Sequence, residues 1–110
     1  MPASKTDLLQ GTLDLIILRL LRGGPGNGWD LTQSIQAVSR GVLDVNYGSV
    51  YPALRRLEAR GWLKGRWGTS ENNRRARFYE LTASGRKQLT VEQTDWDRFS
   101  HAMDLILQTD

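Results

Sequence analysis

The sequence contains no cysteine, only three prolines and a single histidine in 110 residues. Without cysteine there can be no disulfide and no thiolate metal site, and this composition suits a reducing compartment such as the cytoplasm. No apolar run reaches the roughly 18 residues that a membrane-spanning helix needs. The N-terminal segment also lacks the small-residue cleavage site of a secretory signal. We therefore expect a cytoplasmic protein with no membrane partner.

Residues for catalysis and for metal binding are scarce as well. Nucleophilic catalysis by serine or threonine needs a neighbouring base, and the only histidine is His101. On a helix, His101 shares a face with Asp97 and Asp104, a spacing that metal ligands could use but that is more often a solvated surface. We predict no enzymatic activity, no metal site and no cofactor.

Positive charge is concentrated in one segment, although the net charge of the chain is only +3. Residues 55–77 include eight basic and two acidic residues, a net charge of +6. Residues 88–110 include five acidic residues and one arginine, a net charge of −4. This asymmetry favours one surface for a polyanion and another that is kept away from it. The chain is long enough for one domain and little more.

Two helices are predicted before residue 41. Apolar residues recur at helical spacing from Leu9 to Leu21. A second, shorter helix follows, with Leu31, Ile35 and Val38 on one face. The glycine-rich loop between them, residues 23–28, follows a helix rather than a strand and has no Lys-Ser/Thr pair. A plain turn is therefore favoured over a phosphate-binding loop.

The third predicted helix lies in "GSVYPALRRLEARGWLKG" and begins close to Gly48 or Ser49. Asn46 is a plausible N-cap, and a proline is tolerated only near a helix start. At 100° per residue, an apolar stripe of Val50, Leu54 and Leu57 faces the core. The opposite side carries Ser49, Pro52, Arg55, Arg56 and Ala59.

After this helix the apolar spacing shifts toward two. "WLKGRWG" and "RARFYELT" read as strands joined by the turn-rich "TSENN", and Thr82 caps a last helix that runs to about Leu107. The prediction is a mainly α protein with a small β-hairpin. It is a winged helix-turn-helix domain over residues 1–82 and a long C-terminal dimerisation helix over residues 83–110.

This order of elements indicates how the chain would bind DNA. In a winged helix the third helix enters the major groove and the hairpin lies along the backbone. The predicted partner is double-stranded DNA, contacted by Ser49, Tyr51, Arg55 and Arg56 on the helix and by Arg66, Arg74 and Arg75 on the hairpin. The alternative is a winged-helix protein-interaction module whose basic face meets an acidic partner without sequence-specific DNA binding.

Several stretches resemble the PadR family of bacterial transcription regulators. "GSVYPALRRLEARGWLKG" is similar to that family's Gly-Ser/Thr-aliphatic-Tyr-x-x-Leu-x-Arg-Leu helix, and "RRARFYELTASGR" to its Tyr-x-Leu-Thr-x-x-Gly strand exit. "LLQGTLDLIILRLL" and "GWDL" fit its first two helices, with Trp29 where many relatives carry tyrosine. The resemblance implies a homodimeric winged-helix regulator, usually a repressor, of the short subclass with a single C-terminal helix.

The last helix predicts a dimer. At about 25 residues it is roughly 38 Å long, more than a small winged domain can cover. Apolar residues along it alternate steps of three and four, a heptad-like seam that would invite aggregation if left exposed. The predicted dimer contacts are Leu9, Leu13 and Ile16 of the first helix and Phe99, Met103 and Ile106 of the last. Two-fold symmetry then predicts an inverted-repeat operator.

Trp96 also lies on this seam, where the plain interpretation is a core residue. Its position resembles that of the tryptophan which short, drug-binding PadR regulators place at the dimer centre, where two indoles sandwich a flat aromatic molecule. Asp95 and Asp97 would attract a cationic ring toward it. The resemblance leaves the ligand open, since other members respond to phenolic compounds or other signals and many have no known effector. A planar aromatic effector that binds at Trp96 and releases the regulator from DNA is the hypothesis set beside the core interpretation.

Overall fold

The computed structural model describes residues 5–110, with side chains from residue 12 onward. Three helices, a hairpin and a long last helix follow one another in the predicted order. Their bounds are α1 Lys5–Leu21, β1 Gly26–Asn27, α2 Gly28–Val38, α3 Tyr47–Ala59, β2 Leu63–Thr69, β3 Arg75–Leu81 and α4 Ala83–Leu107. The predicted fold class, a mainly α winged helix, is confirmed.

The core forms where the first three helices cross. Ile17 and Leu18 of α1 have no exposed surface, and the stripe of Val50, Leu54 and Leu57 on α3 is equally buried. Each of these aliphatic side chains is removed from water entirely, which stabilises the fold by roughly 1.5–3 kcal/mol per side chain. The stripe predicted for α3 is thereby confirmed, and its burial turns the opposite side of α3 outward.

On α2 the predicted stripe is only partly correct. Leu31 and Ile35 are buried, but Val38 is 70% exposed. The reason is that Val38 is the last residue of α2, and the chain then turns away through Arg40 and Gly41, both at positive φ. The third position of the pattern therefore extends past the core.

The sheet has three strands rather than the two of the predicted hairpin. The short strand β1 lies in the glycine-rich loop, where Gly26 pairs with Tyr79 and Asn27 with Phe78, giving the order β1-β3-β2. The loop predicted to be a plain turn is thus partly strand, and it carries the N-cap of α2. The side chain of Asn27 accepts a hydrogen bond of 2.8 Å from the backbone N–H of Asp30.

A tight junction joins the wing, defined here as β2, β3 and their connecting turn, to α4. The hydroxyl of Thr82 donates to the carbonyl of Gly61 at 2.6 Å and accepts from the backbone N–H of Gly85 at 3.0 Å. Gly85 is buried, and a Cβ added there would overlap the carbonyl oxygen of Trp62. The predicted capping role of Thr82 is confirmed.

Gly85→Ala should therefore destabilise the fold by about 3 kcal/mol, because the obstacle is backbone and cannot rotate aside. The neighbouring Ser84→Ala, at an exposed position, should change the free energy of unfolding by less than about 0.5 kcal/mol. Urea denaturation of the two variants measures the difference. Equal stability would mean that α4 shifts freely against Trp62.

Helix α4 leaves the domain after its first turns. Gly85 and Leu89 are its buried residues, and nearly every side chain beyond Glu92 is exposed. Its projection explains why the chain is 56 Å in its longest dimension but only 24 Å in its shortest. Between residues 5 and 110, no helix is long and apolar enough to cross a membrane.

Candidate nucleic-acid interface

Helix α3 presents a polar, capped end to solvent. Asn46 caps it, accepting a hydrogen bond of 2.9 Å from the backbone N–H of Ser49, as the sequence predicted. Ser49 and Pro52 are exposed in the first turns. Since the opposite stripe is buried in the core, this exposed side is the one that can approach a partner.

The two adjacent arginines of α3 point to different neighbours. Arg55 is exposed and donates to the hydroxyl of Tyr51 at 3.2 Å, a bond that raises the pKa of Arg55. Arg56 instead forms an ion pair with Asp14 of α1. The guanidinium of Arg56 is thus engaged with the body of the domain, whereas that of Arg55 stays on the outer surface.

Tyr51 belongs to an exposed aromatic pair. Its ring stacks on that of Tyr47, with centroids 5.8 Å apart, and 37% of Tyr51 and 43% of Tyr47 is accessible. The sequence left Tyr51 at the edge of the apolar stripe. The structure turns it away from the core, toward the side that also carries Arg55.

Strand register divides the basic residues of the wing between two faces. Trp67 lies directly opposite Arg77, and Thr69 opposite Arg75, so these four side chains share one face. The guanidinium carbons of Arg75 and Arg77 lie 4.6 and 5.6 Å from the centroid of the Trp67 ring. Arg66 pairs with Phe78 and lies on the other face. Arg74 is exposed at the turn.

An ion pair fixes the wing against α3. The guanidinium of Arg77 donates to the carboxylate of Glu58 at 2.7 Å. Gly65 makes room for this contact, because a Cβ there would come within 2.7 Å of Glu58 and 2.8 Å of Arg77. Sequence reasoning missed this pair, because Arg77 and Glu58 are 19 residues apart and lie on different elements.

Helix α3 and this face of the wing border a single open cleft of about 920 Å³. Tyr47 and Tyr51 line one wall, and Trp67, Arg74 and Arg75 line the other. Four of the predicted DNA contacts, Tyr51, Arg55, Arg74 and Arg75, therefore lie on or beside the same concave surface. Arg66 and Arg56 lie apart from it. A helix beside a basic hairpin is the arrangement with which winged helices bind duplex DNA.

Comparison with known proteins gives the family. Residues 17–91, more than half of the chain, match the transcriptional regulator PadR-like family. The chain belongs to this family. PadR-like proteins are DNA-binding transcriptional regulators and not enzymes, and this chain is one of them. The predicted resemblance is confirmed.

Solved structures share the fold over nearly all of the chain. A transcriptional regulator from Clostridium thermocellum superposes with a TM-score of 0.84 at 24% identity, covering 96% of this chain and all of its own. A PadR family regulator from Eggerthella lenta gives 0.81 at 26% identity, over 96% and 89% of the two chains. An uncharacterised protein of Lysinibacillus sphaericus is 23% identical over 94% of this chain and 95% of its own.

The far half of α4 in this PadR-like chain carries an exposed apolar stripe. We call it the α4 seam: Trp96, Phe99, Met103 and Ile106, whose exposed fractions are 44, 58, 37 and 62%. The rings of Trp96 and Phe99 lie 6.1 Å apart. All four side chains predicted to meet a second chain or an effector are therefore available on the surface.

The dimer contacts predicted on α1 that the structure describes are less accessible than those on α4. Leu13 is 3% exposed and belongs to the core of its own chain, which leaves little of its surface for a second chain. Ile16 is partly buried against the same core. Leu9 lies outside the residues whose side chains the structure describes.

The possible metal site on the face of the last helix that carries His101 is not supported by the geometry. From residue 12 to residue 110, no three His, Asp or Glu side chains come close enough to hold a metal ion. His101, Asp97 and Asp104 are exposed on α4. Their shared spacing is that of an ordinary solvated helix face.

Proposed function

We propose that this PadR-like regulator is a cytoplasmic repressor that binds an inverted-repeat operator as a homodimer. The observation that carries the proposal is the common cleft of α3 and the wing, which brings an exposed arginine and tyrosine of the helix beside two arginines of the hairpin. Cationic and hydroxyl groups on one concave surface suit a nucleic-acid backbone and the base edges next to it.

Within this surface we assign different tasks to the helix and the wing. Ser49, Tyr51 and Arg55 are proposed to enter the major groove, where an arginine can form two hydrogen bonds with a guanine. Arg74 and Arg75 are proposed to contact phosphates. Arg66 and Arg56 remain candidates of lower rank, since Arg66 lies on the other face of the wing and Arg56 is paired with Asp14.

The α4 seam supports the dimer. A stripe of four large apolar side chains at heptad-like spacing, all of them more than a third exposed, is unusual on a monomer and typical of a helix that packs on a copy of itself. A two-fold axis through this seam would direct the two α3 helices outward. Half-sites about one helical turn apart would then be read together.

An effector is proposed to act at the α4 seam. Trp96 is 44% exposed beside Phe99, and Asp95 and Asp97 flank it on the helix. A planar cationic ring between two Trp96 side chains would be held by stacking and cation–π attraction. If such a ligand favours a subunit spacing that misfits the operator, it weakens DNA binding. The loss in binding free energy is at most the difference between the ligand's binding free energies for the two spacings.

Enrichment of bound sequences from random duplex DNA tests the function and returns the operator. We expect an inverted repeat, and an affinity for it that falls steeply with salt, because every neutralised phosphate releases about 0.9 counterion. Random duplex of equal length is the matched control. A binding curve that is the same for enriched and random duplex would restore the protein-interaction module as the function.

A further inference from the structure

Two arginines of the wing lie against one indole ring. Trp67 of β2 is 57% exposed, and the guanidinium carbons of Arg75 and Arg77 lie 4.6 and 5.6 Å from its ring centroid. Both distances are within the roughly 6 Å at which a cation is attracted to an aromatic face, and tryptophan attracts cations more strongly than tyrosine or phenylalanine. This attraction favours the stacked arrangement over two arginines that move freely in solvent.

The two guanidiniums differ in what else binds them. Arg77 donates to the Glu58 carboxylate of α3 at 2.7 Å, so one of the two positive charges is already paired. Between residues 12 and 110, Arg75 takes part in no ion pair. Glu58 thereby offsets the repulsion between two positive charges at one ring, and Arg75 is the guanidinium that remains for an anion from outside.

A ring contact leaves the hydrogen-bond donors of Arg75 available. The guanidinium is planar and its N–H groups point outward within that plane, whereas attraction to a ring acts on the face of the plane. An arginine bound to a carboxylate has used some of its donors, and one held by a ring has kept them all. The contact also restricts the rotamers of Arg75 before DNA arrives, which lowers the entropy lost when the side chain is ordered on a phosphate.

We infer that Trp67 is a positioning residue for DNA binding, which holds Arg75 in the orientation that contacts a phosphate. This inference rests on the proposed function, in which Arg75 contacts the backbone of the duplex. The series of contacts begins on α3, where Glu58 fixes Arg77 beside the ring. It ends at Arg75, the residue of the series whose charge is still unpaired. The wing arginine is thereby held in place relative to the helix that enters the groove.

Arg74 provides an internal comparison. It is exposed, carries the same charge, is the direct neighbour of Arg75 and is also proposed to contact a phosphate. Between residues 12 and 110, however, no aromatic ring and no carboxylate holds its guanidinium. If Trp67 acts by positioning, the loss of affinity on its replacement should depend on the presence of Arg75 and should not depend on Arg74.

Trp67→Leu removes the ring but keeps an apolar side chain at this position of the strand. It should weaken binding of the enriched duplex about two- to tenfold per half-site, the range expected when one flexible side chain has to be ordered on binding. Trp67→Phe keeps a ring face and should restore most of the affinity. Fluorescence anisotropy of the labelled duplex at fixed salt measures both variants, and urea denaturation checks that both are folded under the conditions of the assay.

A double-mutant cycle shows whether Trp67 acts through Arg75. In the Arg75→Ala protein, the Trp67→Leu change should alter the affinity less than about twofold, because the side chain that Trp67 positions is absent. In the Arg74→Ala protein, the same change should cause the full loss. An equally large loss in both proteins would mean that Trp67 contacts the duplex or shapes the wing itself, and would overturn the inference. Equal affinities of Trp67→Leu and Trp67→Phe would overturn it too.

The contact between Trp67 and Arg75 can also be tested without DNA. The ring current of an indole shields protons that lie over its face, so the Nε–H proton of Arg75 should resonate upfield of that of Arg74 in the NMR spectrum of the full-length protein. In Trp67→Leu the two signals should nearly coincide. Coinciding signals in the parent would overturn the positioning role. If no duplex is enriched at all, the proposed function fails, and this measurement still decides whether Trp67 holds Arg75.

Discussion

A glutamate in place of Phe99 should convert the proposed dimer to monomers. Phe99 is 58% exposed in the single chain and lies in the middle of the α4 seam. A symmetric dimer through this seam would bury the Phe99 side chains of both copies. Burying an unpaired carboxylate against apolar side chains costs several kcal/mol, which corresponds to at least about a hundredfold weaker association. Sedimentation velocity over a range of concentrations measures the change.

Leu105→Glu is the matched control for this experiment. Leu105 is 55% exposed on the same helix, but at 100° per residue it lies on the side opposite the seam. It should leave the dimer intact. Two variants that sediment alike would place the interface elsewhere, and deletion of residues 96–110 then asks whether α4 takes any part. A soluble deletion mutant that is still a dimer would exclude it.

The local features of the fold were predictable from the sequence because each has a local cause. Asn46 and Thr82 cap helices through hydrogen bonds to residues three positions away, and such pairs are visible in the linear chain. The α3 stripe was also predictable, since helical spacing alone decides which side of a helix is apolar. The order of elements and the winged-helix fold followed from these signals.

What the sequence did not reveal depends on contacts between distant segments. β1 has two residues, too few for any periodicity, and exists because β3 offers it an edge. The pairing of Arg56 with Asp14 spans 42 residues, so the helix-face analysis treated Arg55 and Arg56 as equivalent. The burial of Leu13 was not evident for the same reason, because a helix that is apolar on several sides does not say which side enters the core of its own chain.

The sequence predicted which elements and charges form the candidate site better than it predicted how the side chains are arranged. A basic hairpin beside a helix with exposed arginines was evident from charge alone. The division of the wing into two faces required the register, which sets Arg75 and Arg77 around Trp67 and sends Arg66 to the other side. The aromatic cleft required the packing of three elements against one another, which no single stretch of sequence records.

Arg55→Ala should produce the largest loss of sequence preference among the DNA-contact variants. Its guanidinium is exposed, lies next to the cleft and is held by the Tyr51 hydroxyl 3.2 Å away. If it reads a base in each half-site, its removal costs about 1–3 kcal/mol per half-site and relaxes the preference at one base pair. Repeating the enrichment with the variant should therefore show one degenerate position in each half of the repeat.

Arg56→Ala is the control that the structure provides, one residue away and with the same change in charge. Because Arg56 is paired with Asp14, its removal should lower the free energy of unfolding by about 0.5–1 kcal/mol and leave every operator position as selective as before. Asp14→Asn should destabilise the fold to a similar extent. A degenerate base pair in the Arg56→Ala enrichment, with none for Arg55→Ala, would mean that Arg56 leaves Asp14 to read DNA and that the roles of the two arginines are reversed.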